Sequence, residues 1–130
     1  MHSLQDAELT RTVAFPAAGA TASTASIDLL ATRQEESHFE VEIAVPALAN
    51  LAEAKTVTVT LEDAADDASF TAIEGLAALE VTGEVGGGAA ASVLRVRLPR
   101  SARRYLRATA EVEAAGGDNT ADSVTLGLLF

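Results

Sequence analysis

The chain has no cysteine, no tryptophan and only two histidines in its 130 residues. Without cysteine there is no disulfide framework, no thiolate metal site and no cysteine nucleophile. His2 and His38 alone leave little acid–base chemistry near neutral pH, so no catalytic centre is expected. One tyrosine and four phenylalanines leave little from which to build an aromatic platform for sugars. No run of about 18 apolar residues occurs, which predicts no membrane-spanning helix and no membrane partner. The 48 % apolar content comes instead from residues such as alanine and valine spread through the chain. The stretch from Met1 to Thr10 carries Asp6 and Glu8 and lacks a basic region and an apolar region, so it does not read as a signal peptide. It is expected to form a flexible N-terminal arm on a single domain spanning residues 1–130.

Positive charge is scarce too. Nine basic against nineteen acidic residues give a net charge of −10, and most of such a surface repels nucleic acid and anionic lipid. No nucleic-acid partner is expected. Six of the nine basic residues, Arg95, Arg97, Arg100, Arg103, Arg104 and Arg107, fall within thirteen positions. Their guanidinium groups can grip carboxylates bidentately. Two readings follow: they neutralise the acidic remainder of the same subunit, or they form an interface with an acidic neighbour.

The main positive signal is period-two alternation, which predicts strands with one buried and one wet face. Phe39, Val41, Ile43 and Val45 interleave with His38, Glu40, Glu42 and Ala44. Val57, Val59 and Leu61 interleave with threonines, which favour strands. Leu94, Val96 and Leu98 alternate with Arg95 and Arg97 until Pro99, which cannot donate to a ladder. Leu106, Ala108, Ala110 and Val112 form a further set, and Val124, Leu126, Leu128 and Phe130 another. Weaker candidates run from Arg11 to Phe15, Ser23 to Leu30, Ser69 to Ile73 and Leu79 to Thr82. Ala47–Ala54 and Asp63–Ala68, rich in alanine and acidic residues, predict at most single helical turns. About eight short strands with turn residues between them predict an all-β, jelly-roll-like antiparallel sandwich.

The candidate chemical groups all have plainer readings. His38 and Glu40 share a strand face, but a metal site needs three or four ligands, so a solvated face is expected. Asp63, Asp66 and Asp67 beside Glu62 lack the spacing of a calcium loop and read as an acidic solvated turn. Gly86-Gly87-Gly88 has no Lys-Ser/Thr and no helix after it, which predicts a flexible hairpin tip rather than a phosphate cradle. No serine lies in a nucleophile elbow, and Ser37 beside His38 has no supporting spacing. No metal and no cofactor are expected.

At Leu98-Pro99 followed by Arg103-Arg104-Tyr105-Leu106-Arg107, a glycine turn and a terminal apolar strand, the sequence resembles small cement or decoration proteins of tailed-phage capsids. The likeness is to the jelly-roll type found in a Bordetella podovirus. Ile27-Asp28-Leu29, Val41-Glu42-Ile43, Val45-Pro46-Ala47-Leu48, Val57 to Leu61 and Ser69-Phe70 occur in a similar order. The resemblance implies a jelly-roll subunit made in the host cytoplasm that sits on the outer surface of an icosahedral shell. It implies contact with the major capsid protein and a stronger lattice after expansion; association as a dimer or trimer is the accompanying expectation. It supplies no catalytic residues. A carbohydrate- or receptor-binding module of a virion is the alternative expectation.

Overall fold

A computed structural model of the protein describes residues 5–29, 40–99 and 102–129. His2, Ser37, His38, Phe39, Arg100 and Phe130 lie outside the described residues. Ten strands are found among the described residues: β1 (Gln5–Ala14), β2 (Thr21–Ser23), β3 (Ile27–Asp28), β4 (Glu40–Val45), β5 (Thr56–Ala64), β6 (Thr71–Ala72), β7 (Leu79–Thr82), β8 (Ser92–Val96), β9 (Tyr105–Val112) and β10 (Ser123–Leu129). All pair antiparallel, in two sheets.

One sheet has the order β1-β10-β4-β8; the other has β2-β9-β5-β6, with β3 also against β9 and β7 also against β5. The two short pairs are interrupted strands. Thr21–Ser23 lie opposite Thr109–Glu111 and Ile27–Asp28 opposite Tyr105–Leu106. Between them Thr24 bridges the gap, its N–H donating to Ala108 O at 2.9 Å and its hydroxyl accepting from Ala108 N–H at 3.1 Å. Thr71–Ala72 and Leu79–Thr82 likewise share β5, with Ile73 N–H donating to Leu61 O at 3.0 Å. Counted that way there are eight strands, and successive strands change sheet at every step except from β5 to the β6–β7 strand, in jelly-roll order.

The core lies between the sheets. Val41, Ile43 and Val45 of β4, Val57, Val59 and Leu61 of β5, the even-numbered positions 106–112 of β9, and Val124, Leu126 and Leu128 of β10 are all buried. Phe15, Leu48 and Leu51 close one end from loops. There Leu48 pairs with Ala89 through hydrogen bonds of 2.9 Å in both directions, and Ala52 N–H donates to Gly116 O at 3.0 Å. A methyl group on Gly83 or Gly117 would collide with the carbonyl of Ala52 or Asn50, so glycine lets these loops pack backbone to backbone.

Several expectations are corrected. Gln5–Thr10, expected as an arm, belongs to β1, whose register with β10 shifts between Gln5 and Thr10. Ala47–Ala54 is not helical, because Leu48 is committed to a bridge and Leu51 is pulled into the core. Asp63 and Ala64 are the end of β5 rather than the start of a helical turn, and Ser69–Ile73 contributes only Thr71–Ala72. The glycine run is not a loose tip, since all three of its amides donate hydrogen bonds within the chain. The same commitments leave no donors free for a phosphate.

Three exposed carboxylates organise the turns. Asp66 accepts from the Ser69 and Ala68 amides, Glu113 from the Thr56 amide and hydroxyl, and Asp118 from the Thr120 hydroxyl and amide. These hydrogen bonds hold each carboxyl below its ordinary pKa, chiefly through Ser69, Thr56 and Thr120 respectively.

Two predictions follow from this architecture. Leu126→Ala, in a fully buried position of β10, should lower the unfolding free energy by about 2–5 kcal/mol in urea titration, against less than about 1 kcal/mol for Thr125→Ala on the outer face. A carboxyl with a depressed folded pKa stabilises the fold above its unfolded pKa and loses that contribution as pH falls through the folded value. The melting temperature should therefore hold level from neutral to about pH 5 and drop below about pH 4, as a pH series of thermal melts would show.

Candidate functional site

The arginine cluster of the sequence does not form one patch. The connection from β8 to β9 crosses from one sheet to the other, so Arg95 and Arg97 lie on the first sheet and Arg103, Arg104 and Arg107 on the second. Arg95 projects from β8 opposite its register partner Glu42 and donates to that carboxylate at 2.7 Å. Arg97 is exposed and has no ion pair among the described residues. Arg100 is outside the described residues.

The three remaining arginines build a compact site at the end of β5 and the start of β9. Asp63 is an inward-facing position, opposite buried Leu106, and only 6 % exposed. A carboxylate there loses its water and requires donors in its place. Arg103 supplies them. Its backbone N–H donates to Asp63 Oδ2 at 2.9 Å, and its Nε and Nη2 donate to Oδ1 at 3.0 and 2.8 Å. Nη2 also donates to the Asp63 carbonyl and to the Thr71 hydroxyl, each at 2.6 Å. The acidic turn expected to be solvated is thus anchored by a buried carboxylate at its first residue.

Arg107 sits opposite Glu62 in the register and donates to its carboxylate at 2.8 Å, while its guanidinium lies 4.2 Å from the centre of the Phe70 ring. Glu62 also accepts from the Thr109 hydroxyl at 2.6 Å, and Thr109 bonds Ser23 at 2.8 Å, so one hydrogen-bonded line crosses three strands. Arg104 grips Asp28 bidentately at 3.1 and 2.9 Å and lies 4.9 Å over the Tyr105 ring. The hydrogen bond to Asp28 raises its pKa further.

Three arginines and three carboxylates make this site electrically neutral. These charges cancel within the three pairs, while the chain as a whole carries −10. The site is therefore a neutral, half-exposed surface of arginine and aromatic side chains on an acidic molecule. Such side chains are enriched where proteins dock. Phe70 and Tyr105 each have a guanidinium over one face of the ring. Among the described residues no three His, Asp or Glu side chains converge as metal ligands.

Sequence reasoning found the arginines and missed their partners Asp28, Glu62, Asp63, Phe70 and Thr71. Alternation does place Glu62 and Arg107 on outer faces, but nothing in a single sequence says that β5 and β9 are neighbours. The pairs differ in strength. Arg103→Ala would leave Asp63 buried without a counter-charge and should cost about 2–3 kcal/mol, whereas Arg104→Ala, which breaks an exposed pair, should cost less than about 1 kcal/mol. Chemical denaturation of the two variants side by side checks the order.

Comparison with known proteins adds the family. No curated protein matches the chain. Residues 12–128, from the regular part of β1 through β10, match the Bbp16 family. The chain belongs to the Bbp16 family, whose name points to a phage protein.

Proposed function

We propose that this protein is a structural component of the virion that binds the outer surface of the major capsid protein lattice and cements the icosahedral shell. It acts as a dimer or trimer, and by binding rather than by catalysis. The observation that carries this reading is the family match across nearly the whole jelly roll. The arginine–aromatic site supports it, because its arginines are already paired with carboxylates and such side chains are enriched at docking surfaces.

The mechanism is linkage. A protein that binds only the assembled shell shifts the equilibrium toward assembly, and the effect grows with its free concentration relative to the dissociation constant. A contact burying roughly 1,200–2,000 Å² per copy, repeated over the lattice, stabilises without covalent bonds. Arg104 and Tyr105 suit the centre of such a contact, since both are half-exposed and already held in place by Asp28 and by each other.

The test mixes recombinant protein with expanded shells of the major capsid protein from the same phage. Saturable co-sedimentation is expected, with a rise of several degrees in shell melting by calorimetry. The Arg104→Ala/Tyr105→Ala double variant should bind at least about tenfold more weakly. Shells that take up no protein and melt unchanged would overturn the reading.

A further inference from the structure

Two large apolar side chains are left exposed among the described residues, Val85 at 91 % and Val93 at 56 %. Both flank the uncharged run from Gly86 to Ser92, which leads from the β7–β8 loop into β8. A single exposed valine is ordinary on a protein surface. What sets Val85 apart is the backbone that carries it. Glu84 N–H donates to Gly88 O at 2.8 Å, Gly87 N–H to Glu84 O at 2.8 Å, and Gly88 N–H to Leu51 O at 2.7 Å. Gly86 N–H donates to the Glu53 carboxylate at 3.2 Å. Gly86, Gly87 and Gly88 have φ values of 87°, 88° and 85°, a region that L side chains enter only under strain. The loop therefore closes on itself in one shape and holds the Val85 side chain out in solvent.

We propose that Val85 is the anchor of a second docking surface, seated in an apolar pocket on a partner protein whose rim carries lysine or arginine. The rim chemistry follows from the loop's surroundings. Glu84 precedes Val85 and Glu53 is hydrogen-bonded to the residue after it, whereas the stretch from Val85 to Leu94 contains no basic residue. Lys55, the basic residue on the facing loop, is turned to Glu113 at 3.7 Å. A second copy meeting the chain at this loop would bring the same two carboxylates, so a basic-rimmed partner of another kind fits here better. A stiff, branched side chain on a locked loop loses little freedom on binding.

The inference rests on the shell-binding reading and deepens it. Cementing means bridging, and a bridge needs two contacts. Thr82, at the end of β7 just before this loop, pairs with Thr56 at the start of β5, while Asp63 and its arginines stand at the other end of that strand. Nine residues of strand separate the two surfaces by about 25 Å.

The experiment measures binding isotherms of the full chain to the same expanded shells. Val85→Asp should weaken binding about ten- to a hundredfold, and Val85→Leu should retain it. Both variants should melt as the unaltered chain does, because Val85 makes almost no contact within the fold. Glu84→Gln should slow association and reduce its dependence on salt. Val85→Asp binding as tightly as the unaltered chain would overturn the inference, and if Arg104→Ala/Tyr105→Ala still weakened binding, the shell reading would stand without it. Shells that bind no form of the protein would overturn both.

Discussion

The register between β5 and β9 is the constraint on which the rest depends. Val57 through Ala64 face, one by one, Val112 back to Tyr105. Because successive side chains point to opposite faces, that alignment sets Val57, Val59 and Leu61 against Val112, Ala110 and Ala108 inside. Outside, it sets Thr58, Thr60 and Glu62 against Glu111, Thr109 and Arg107. A slip of one residue would turn Arg107 inward and the aliphatic set outward. Asp63 is the exception that the register forces: it points inward at the end of the strand, and the chain answers with Arg103 immediately before β9. Core and surface ion pairs are two outcomes of one alignment.

Much of this was legible in the residues. Alternation located β4, β5, β8, β9 and β10 to within a residue or two, because burial alternates along β4, β5 and β9, more weakly along β8, and along β10 as far as Leu126. The weaker segments were hard for a physical reason. β2 and β3, like β6 and β7, are fragments that follow a longer partner and break where a side chain or a turn substitutes for the ladder. Strand order was out of reach from periodicity, since nearly every connection changes sheet and neighbours are distant in sequence. The arginine cluster was visible as composition, yet its division between two sheets depends on where the chain crosses. Gly86 to Gly88 signalled a free tip by type, yet all three amides are hydrogen-bonded, because acceptors for them come from Leu51, Glu53 and Glu84.

The charge distribution follows the same logic. An acidic chain with few cations uses most of the described ones within itself: Arg95, Arg103, Arg104, Arg107 and Lys55 each hold a carboxylate. The field that remains at long range is that of a net charge of −10. A partner of opposite sign would be steered by that field from a Debye length away, then meet a neutral site where no unpaired charge has to be stripped of water.

The position of β10 carries a further consequence, for the order of events in the cell. It is the last of the described strands, yet it lies inside its sheet, between β1 and β4, and brings Val124, Leu126 and Leu128 to the core. Until residues 123–129 have left the ribosome, β1 and β4 have no common neighbour and that sheet cannot close. The β5–β9 pair can form earlier, but it waits with one apolar face uncovered. Folding of this jelly roll thus waits for residues 123–129, and a product cut short before β10 would expose the edges and core surface that promote aggregation.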